Sequence, residues 1–392
     1  MDVTVAAAYP TLMRLTLEQS LPAPPSVVWL FLTDPARMNA WSLARVDPVS
    51  PGDGEDPGGV GALRRITIHA PGRDVSFEEV IEHADPVRRL VYRVVRGLPI
   101  RAHRGEITLQ GEGARTRLRW DVSFELLVPG ADLAARVVLQ GQLRRSLLAL
   151  ACAVRGACEP ALPGPGFVDD LHELPALDRE AERVLCEQRT LADRLAQARD
   201  PKYWFTRVYQ YVTEAQLEGC REGRVTHCAW VMRLISRFHA YYTENLRRWM
   251  GELPGLAESH WQLAFREMES GAAGRRGAGA RTVRGLLSGV AAHIEDDLPR
   301  ALAEVYRRHY AGRCSYVRFR ADYLLMAGVF QRASERLIAE MPRGFIPLLY
   351  LRALTPMLPL ELQDEILNRY YDVPRRRRQA FDRGERLSGW PG

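Results

Sequence analysis

Through the first third of the chain, apolar and polar residues alternate with a period of two. Met13–Ser20 puts Leu15 and Leu17 on one side. The stretches 61–70, 75–83, 89–96, 103–110 and 116–127 do the same. Pro71-Gly72, Asp85-Pro86, Gly97-Leu98-Pro99 and Gly111-Glu112-Gly113 punctuate them as turns, so the pattern predicts one strand and then five antiparallel ones. Between the first strand and the rest, Pro24-Pro25 and Asp34-Pro35 each predict the start of a short helix, because proline suits a first helical turn. The second helix runs to Trp41, and the Pro/Gly/Asp-rich residues 48–61 read as a loop. From Ala131 to Val154 the period lengthens. Leu133, Val137, Val138, Leu143, Leu147 and Leu150 recur at helical spacing and predict one long amphipathic helix.

This order predicts a curved antiparallel sheet around the long helix, with a cavity between them for an apolar ligand. Alternation assigns the faces of each strand. Leu118, Trp120, Val122 and Phe124 share one face and are expected to line the cavity. Glu79 shares a face with Val75, Phe77 and Ile81, and Tyr92 with Leu90 and Val94. Arg64, Ile66 and Ile68 lie opposite Arg65 and Thr67. If they point inward, Glu79 and Tyr92 are the acid–base candidates: a buried carboxyl has a raised pKa, and a phenol can orient an enolate. Glu79 as a plain surface residue is the competing reading. Trp29, Trp41, Phe77, Tyr92, Trp120 and Phe124 are the expected ligand contacts, with core packing as their alternative role. His103, near a strand end, is expected to face solvent.

Beyond the linker-like run Pro160–Gly166 the sequence is helical almost to its end. Helices are predicted at 178–198, 201–218, 226–250, 256–269, 282–310, 316–340 and 360–371, with a Gly-rich loop at 271–279. Together they make an all-α bundle. The chain thus divides into a ligand-binding domain over 12–158, a linker over 159–177 and a helical domain over 178–385. His293 and Asp297 stand at i, i+4 on one helical face. Three readings follow. They hold a divalent metal with a third ligand from His239, Glu244, His260 or Asp322, as in a metal-dependent hydrolase. They form a metal-free acid–base pair. Or Asp296 or Asp297 caps a helix before Leu298-Pro299, and His293 is a buried histidine bonded to Asp297 or Asp322. Trp230, Tyr241, Tyr242 and Trp249 read as core. No Gly-rich phosphate loop follows a strand, and no GxSxG elbow occurs.

Several stretches in the first domain carry a resemblance. Pro22–Trp29, Phe31–Pro35, Trp41-Ser42, Gly59–Gly61, Glu78–Tyr92 and Gly105–Trp120 stand in the order of the START/Bet v 1-like helix-grip superfamily. Residues 12–155 most resemble its polyketide cyclase/dehydrase and lipid-transport branch. That resemblance implies an α+β helix-grip domain and a hydrophobic ligand. The superfamily includes cyclases, lipid carriers, ligand sensors and hydroxylase subunits, so it does not imply one reaction. Residues 200–385 resemble an uncharacterised all-helical bacterial domain family, through Phe205–Tyr209, Trp261 with Phe265, the core His293-Ile294-x-x-Asp297-Leu298, and Asp322-Tyr323. This second resemblance implies a fold and no activity.

Composition narrows the rest. With 392 residues, 46% apolar and 26% charged, the chain has the make-up of a folded protein of about two domains. Six cysteines without a CxxC suggest reduced thiols in the cytoplasm. The N-terminus lacks the basic region of a signal peptide, and no apolar run reaches about 18 residues, so no transmembrane segment is expected. Of 54 basic residues only Lys202 is lysine, the mark of a GC-rich bacterial genome. The net charge is +6, and residues 366–392 hold seven arginines against three acids. The Arg375–Arg378 run therefore reads as a solvated tail or as packed on an acidic surface of the bundle, and no nucleic-acid partner is expected. The expected partner is a polyketide-, isoprenoid- or lipid-like molecule, bound by a cyclase or dehydratase or else by a non-enzymatic carrier or interaction module. No cofactor is expected beyond the divalent metal, and the oligomeric state is open.

Overall fold

The computed structural model describes residues 12–70, 73–127, 132–155, 171–270, 278–341 and 373–389. They fall into two compact units, one ending by residue 155 and one beginning at 171. No helix among the described residues is long and apolar enough to cross a membrane.

The first unit is built on one antiparallel sheet of β1 (Leu12–Leu21), β2 (Ala44–Ser50), β3 (Leu63–Ala70), β4 (Arg73–Asp85), β5 (Arg89–Arg96), β6 (Ile100–Glu112) and β7 (Arg115–Leu126). Their order is β1-β7-β6-β5-β4-β3-β2. β2 was not expected, and its last residues lie in the predicted loop. It carries Pro48, which an edge strand tolerates, and only Val46 is fully buried, so it has no alternation to read. Between β1 and β2, α1 (Pro25–Thr33) starts on a proline, and Asp34 caps α2 (Pro35–Met38) by accepting the Ala36 N–H at 2.9 Å. The Trp41 indole N–H donates to the Phe31 carbonyl at 2.8 Å, which pins the turn after α2. α3 (Asp132–Ala153) follows β7. Its Leu147 and Leu150 join Leu17, Leu118, Trp120 and Phe124 in one buried cluster. Val137 and Val138, expected on this buried face, lie on the opposite arc of the helix and are 63% and 59% exposed.

The second unit contains α4 (Leu174–Gln197), α5 (Tyr203–Arg221), α6 (Cys228–Trp249), α7 (Ser259–Ser270), α8 (Ala278–Ala292), α9 (Leu298–His309), α10 (Arg320–Leu325), α11 (Ala327–Glu340) and α12 (Val373–Leu387). The helix predicted at 360–371 and most of the 271–279 loop lie outside the described residues. The Arg375–Arg378 run is part of α12 and not a solvated tail. Arg377 shares a buried stripe with Ala380 and Phe381, donates to the Tyr323 carbonyl at 2.9 Å, and lies 4.5 Å over the Tyr323 ring.

The helix predicted over 282–310 widens into a π turn at His293–Asp297, between α8 and α9. Pro299 accounts for this. It has no N–H for the Glu295 carbonyl, and its ring crowds that carbonyl. The Leu298 N–H instead reaches back five residues to His293. Arginines serve the neighbouring carbonyls: Arg300 donates to Asp296 at 3.0 Å, and Arg383 of α12 donates to Glu295 at 2.9 Å.

Candidate functional site

On the inner face of the first unit's sheet, β3 and β4 bring Arg64 and Glu79 directly opposite each other. Their side chains meet at 2.6 Å, and the residues are 2% and 5% exposed. Arg64 also donates to the Leu32 carbonyl at 3.3 Å and to Met38 Sδ at 3.0 Å, which ties it to α1 and α2. Burial raises the Glu79 pKa, and the Arg64 charge and hydrogen bond pull it part of the way back. The reading of Glu79 as a surface residue is thereby set aside. Arg64 is a site residue that sequence reasoning missed. Its parity with Ile66 and Ile68 was the available signal.

Tyr92 of β5 faces Ile81 on one neighbouring strand and Gly105 on the other. A Cβ at position 105 would stand 2.2 Å from Tyr92 Cζ, so the ring lies across a strand that only glycine leaves clear. The Trp120 indole N–H donates to Tyr92 Oη at 2.9 Å. Burial first, and then the Glu79 charge, push the phenol pKa well above its usual range. Trp29, Trp120 and Phe124 are buried in the same cluster, and Phe77 packs against it partly buried. Trp41, buried there too, is engaged with α1.

His103 is not at a strand end, as expected, but inside β6. The strand runs on to Ile100 through a bulge between Arg101 and Arg104, with Ala102 at φ +52°. The bulge takes up one extra residue and keeps both His103 and Ile100 on the inner face. The Val94 N–H donates to His103 Nδ1 at 3.1 Å, and the ring packs against Tyr92 at 5.7 Å and Phe124 at 6.5 Å. Burial, then the Arg93 charge, lower its pKa to about 3, so the imidazole is neutral. Around this end of the sheet Phe77, Ile100, Leu126, Leu139 and Leu143 stay partly exposed, whereas Val28, Leu118, Leu150 and Val154 are sealed. The inner face therefore opens beside His103.

In the second unit, His293 and Asp297 do converge with a further histidine, His260 of α7. Asp297 is fully buried, and both of its oxygens are taken. Oδ2 accepts from His293 Nδ1 and Trp261 Nε1, each at 2.9 Å. Oδ1 accepts from His260 Nε2 at 3.1 Å and Arg300 at 2.7 Å. Burial pushes the Asp297 pKa up, but the bonds from His260, His293 and Trp261 outweigh it and hold the carboxyl well below the usual range. Four N–H donors, one of them a guanidinium, do not fit a metal ion. Among the described residues no three His, Cys, Asp or Glu side chains are placed to hold one. The side chain of Asp297 makes no cap bond to α9. Asp322 stands elsewhere and accepts from His227 at 2.8 Å, Glu244 pairs with Arg248, and His239 meets Gln188 at 3.4 Å. His293 Nε2 has no hydrogen-bond partner and is enclosed by the rings of Phe205, Tyr209, Phe238, Tyr242 and Trp261. Trp230 and Tyr242 are fully buried core, as expected.

A curved antiparallel sheet closed by a long C-terminal helix, with a few polar groups on its inner face, defines the class of the first unit. The family model described as polyketide cyclase / dehydrase and lipid transport matches residues 13–155. The model described as a family of unknown function (DUF5995) matches residues 181–388, more than half of the chain, and the chain belongs to that family. Among solved structures the chain is similar to the Zhui aromatase/cyclase from a Streptomyces species, at 21% identity over 37% of this chain and 92% of that one, TM-score 0.30. It is also similar to a START superfamily protein from Mycobacterium smegmatis, at 12% identity over 36% and 96%, TM-score 0.32. Truncated norcoclaurine synthase from Thalictrum flavum follows at 13% identity over 39% and 100%, TM-score 0.32. No curated protein matches the sequence.

Proposed function

We propose that the first unit binds a polyketide-, isoprenoid- or lipid-like molecule against the inner face of its sheet and acts on it as a cyclase or dehydratase. The observation that carries this reading is the Tyr92 hydroxyl. Its oxygen accepts the Trp120 N–H, which leaves its own hydrogen to donate to a ligand oxygen on an otherwise apolar face. A phenol polarised in this way is a stronger donor. Its raised pKa keeps it protonated near neutral pH. In the proposed step the Glu79 carboxylate takes a proton from a carbon beside a ligand carbonyl, and Tyr92 hydrogen-bonds the enolate oxygen as charge develops there. Arg64 holds the carboxylate in place, and the family match at 13–155 is in keeping with such a ligand. Holding a reactive chain in one folded geometry in a dry site lowers the barrier further.

Solvent extraction of the purified chain followed by mass spectrometry is expected to yield an apolar small molecule. Tyr92→Phe and Glu79→Gln are expected to keep ligand binding and lose turnover of at least a hundredfold, the usual order for a lost acid–base group. A chain that retains no apolar molecule and binds no polyketide, isoprenoid or fatty-acyl probe overturns the reading. Binding without turnover in the wild type overturns its enzymatic half and leaves a carrier.

A further inference from the structure

Apolar side chains lie on both faces of α3. Leu139, Leu143, Leu147 and Leu150 pack inward, while Val137, Val138 and Leu148 are about 60% exposed. At about 100° per residue, Val137, Gly141, Leu148 and Cys152 fall on one narrow outer arc, with Val138 at its border. Arg144 and Arg145 border this arc on either side and, just past the helix, Arg155 falls on it; Arg136 stands on the inward-facing arc near the helix start, and all four are exposed. No acidic residue occurs from 133 to 155. Among the described residues none of the four arginines is ion-paired, and Arg145 donates only to the Gly141 carbonyl one turn back. Among the other exposed arginines, Arg183, Arg189 and Arg221 each hold a carboxylate.

An apolar strip interleaved with unpaired guanidinium groups calls for a partner that supplies hydrocarbon and anion together. A nucleic-acid backbone supplies phosphate but nothing for the valines and leucine. The interface of an anionic bilayer supplies both.

We propose that the outward face of α3 docks this chain on an anionic lipid surface. The proposal rests on the reading of the first unit as a binder of an apolar molecule. Val137, Val138 and Leu148 enter the boundary of the acyl chains, and the arginines meet the headgroup phosphates. The opening beside Leu139 and Leu143, on the same helix, then stands next to the phase in which such a molecule dissolves.

The test is co-sedimentation of the full chain with vesicles of phosphatidylcholine alone or mixed with phosphatidylserine. Binding is expected only to the mixed vesicles and is expected to weaken with added salt. Arg144→Ser/Arg145→Ser and Val137→Ser/Leu148→Ser are each expected to lower the partition coefficient by about tenfold or more, with an unchanged circular dichroism spectrum. Failure to bind either vesicle, or unchanged binding by both double variants, overturns the proposal. Loss with the arginine pair alone, and none with Val137→Ser/Leu148→Ser, shows adsorption by charge without entry of the apolar strip and also overturns it. Extraction without vesicles separates the two readings. A chain that carries an apolar ligand yet ignores both vesicles sinks the docking alone.

Discussion

Asp297→Ala removes one acceptor from four donors at once. Trp261 and His293 are buried, and each orphaned N–H costs about 1–3 kcal/mol, or about 2–6 kcal/mol together. His260 and Arg300 are partly exposed, and water can take over their donors at little cost. Against a usual domain stability of about 5–15 kcal/mol, the loss is a large fraction of what holds the helical unit folded. Asp297→Asn is expected to cost less. Its amide oxygen still accepts, and a neutral His293 can move its proton to Nε2 and accept from the amide N–H. Trp261 is then the one newly orphaned group, at about 1–3 kcal/mol, because His293 Nε2 lacks a partner in either tautomer. Urea unfolding followed by far-UV circular dichroism measures both variants. Acid adds a second readout. Folding depresses the Asp297 pKa below its ordinary 3.8. Its contribution is therefore complete above that value and is lost as pH falls through the folded one. The wild type should lose stability below about pH 4 more steeply than Asp297→Asn. If Asp297→Ala stays within about 1 kcal/mol of the wild type, or if the acid limbs coincide, the four-way sharing described here is wrong.

Gly105→Ala puts a methyl 2.2 Å from Tyr92 Cζ, so the ring must swing off Trp120. About 1–3 kcal/mol of stability and most of the ligand affinity should go with it. A thermal melt and ligand titration matching the wild type would contradict the packing. Arg64→Met leaves the Glu79 carboxylate buried without its guanidinium, at a cost of about 3–5 kcal/mol near neutral pH. Glu79 then has a folded pKa raised still further, so stability should return as pH falls and the carboxyl protonates. Arg64→Met/Glu79→Leu should restore most of it at neutral pH. Equal losses in the single and double variants, read by urea unfolding, would show that the pair is not what the cost reflects.

Alternation made Tyr92, Trp120 and Phe124 legible, because one face of their strands is buried and a strand has a side-chain period of two. The same parity set Glu79 beside Ile81 and Arg64 beside Ile66 and Ile68, but did not say that these faces are buried. A charged residue in an alternating run reads as solvent-facing, and only the register of β3 on β4 shows Arg64 opposite a carboxylate. His103 was misread because the Ala102 bulge is one residue long and leaves no compositional trace. In the helical half the i, i+4 pairing of His293 with Asp297 was legible. The donors from His260 and Trp261 were not, since they arrive from another helix. Pro299 did announce the break that became a π turn.

Periodicity thus reports the face on which a residue sits, while chemistry depends on what stands across from it. Both buried clusters carry costs that apolar residues of the same volume would avoid, so burial and shifted pKa values do not tell a structural cluster from a working one. What differs is the hydrogen-bonding capacity left over. Asp297 spends both oxygens inside the fold, and the unpartnered atoms near it, His293 Nε2 and Tyr209 Oη, are buried among aromatic rings. Tyr92 has its oxygen engaged by Trp120 and its hydrogen uncommitted, on a face that opens beside His103. The first arrangement is complete within the fold and the second has a donor to spare, and that difference is what the proposed ligand rests on.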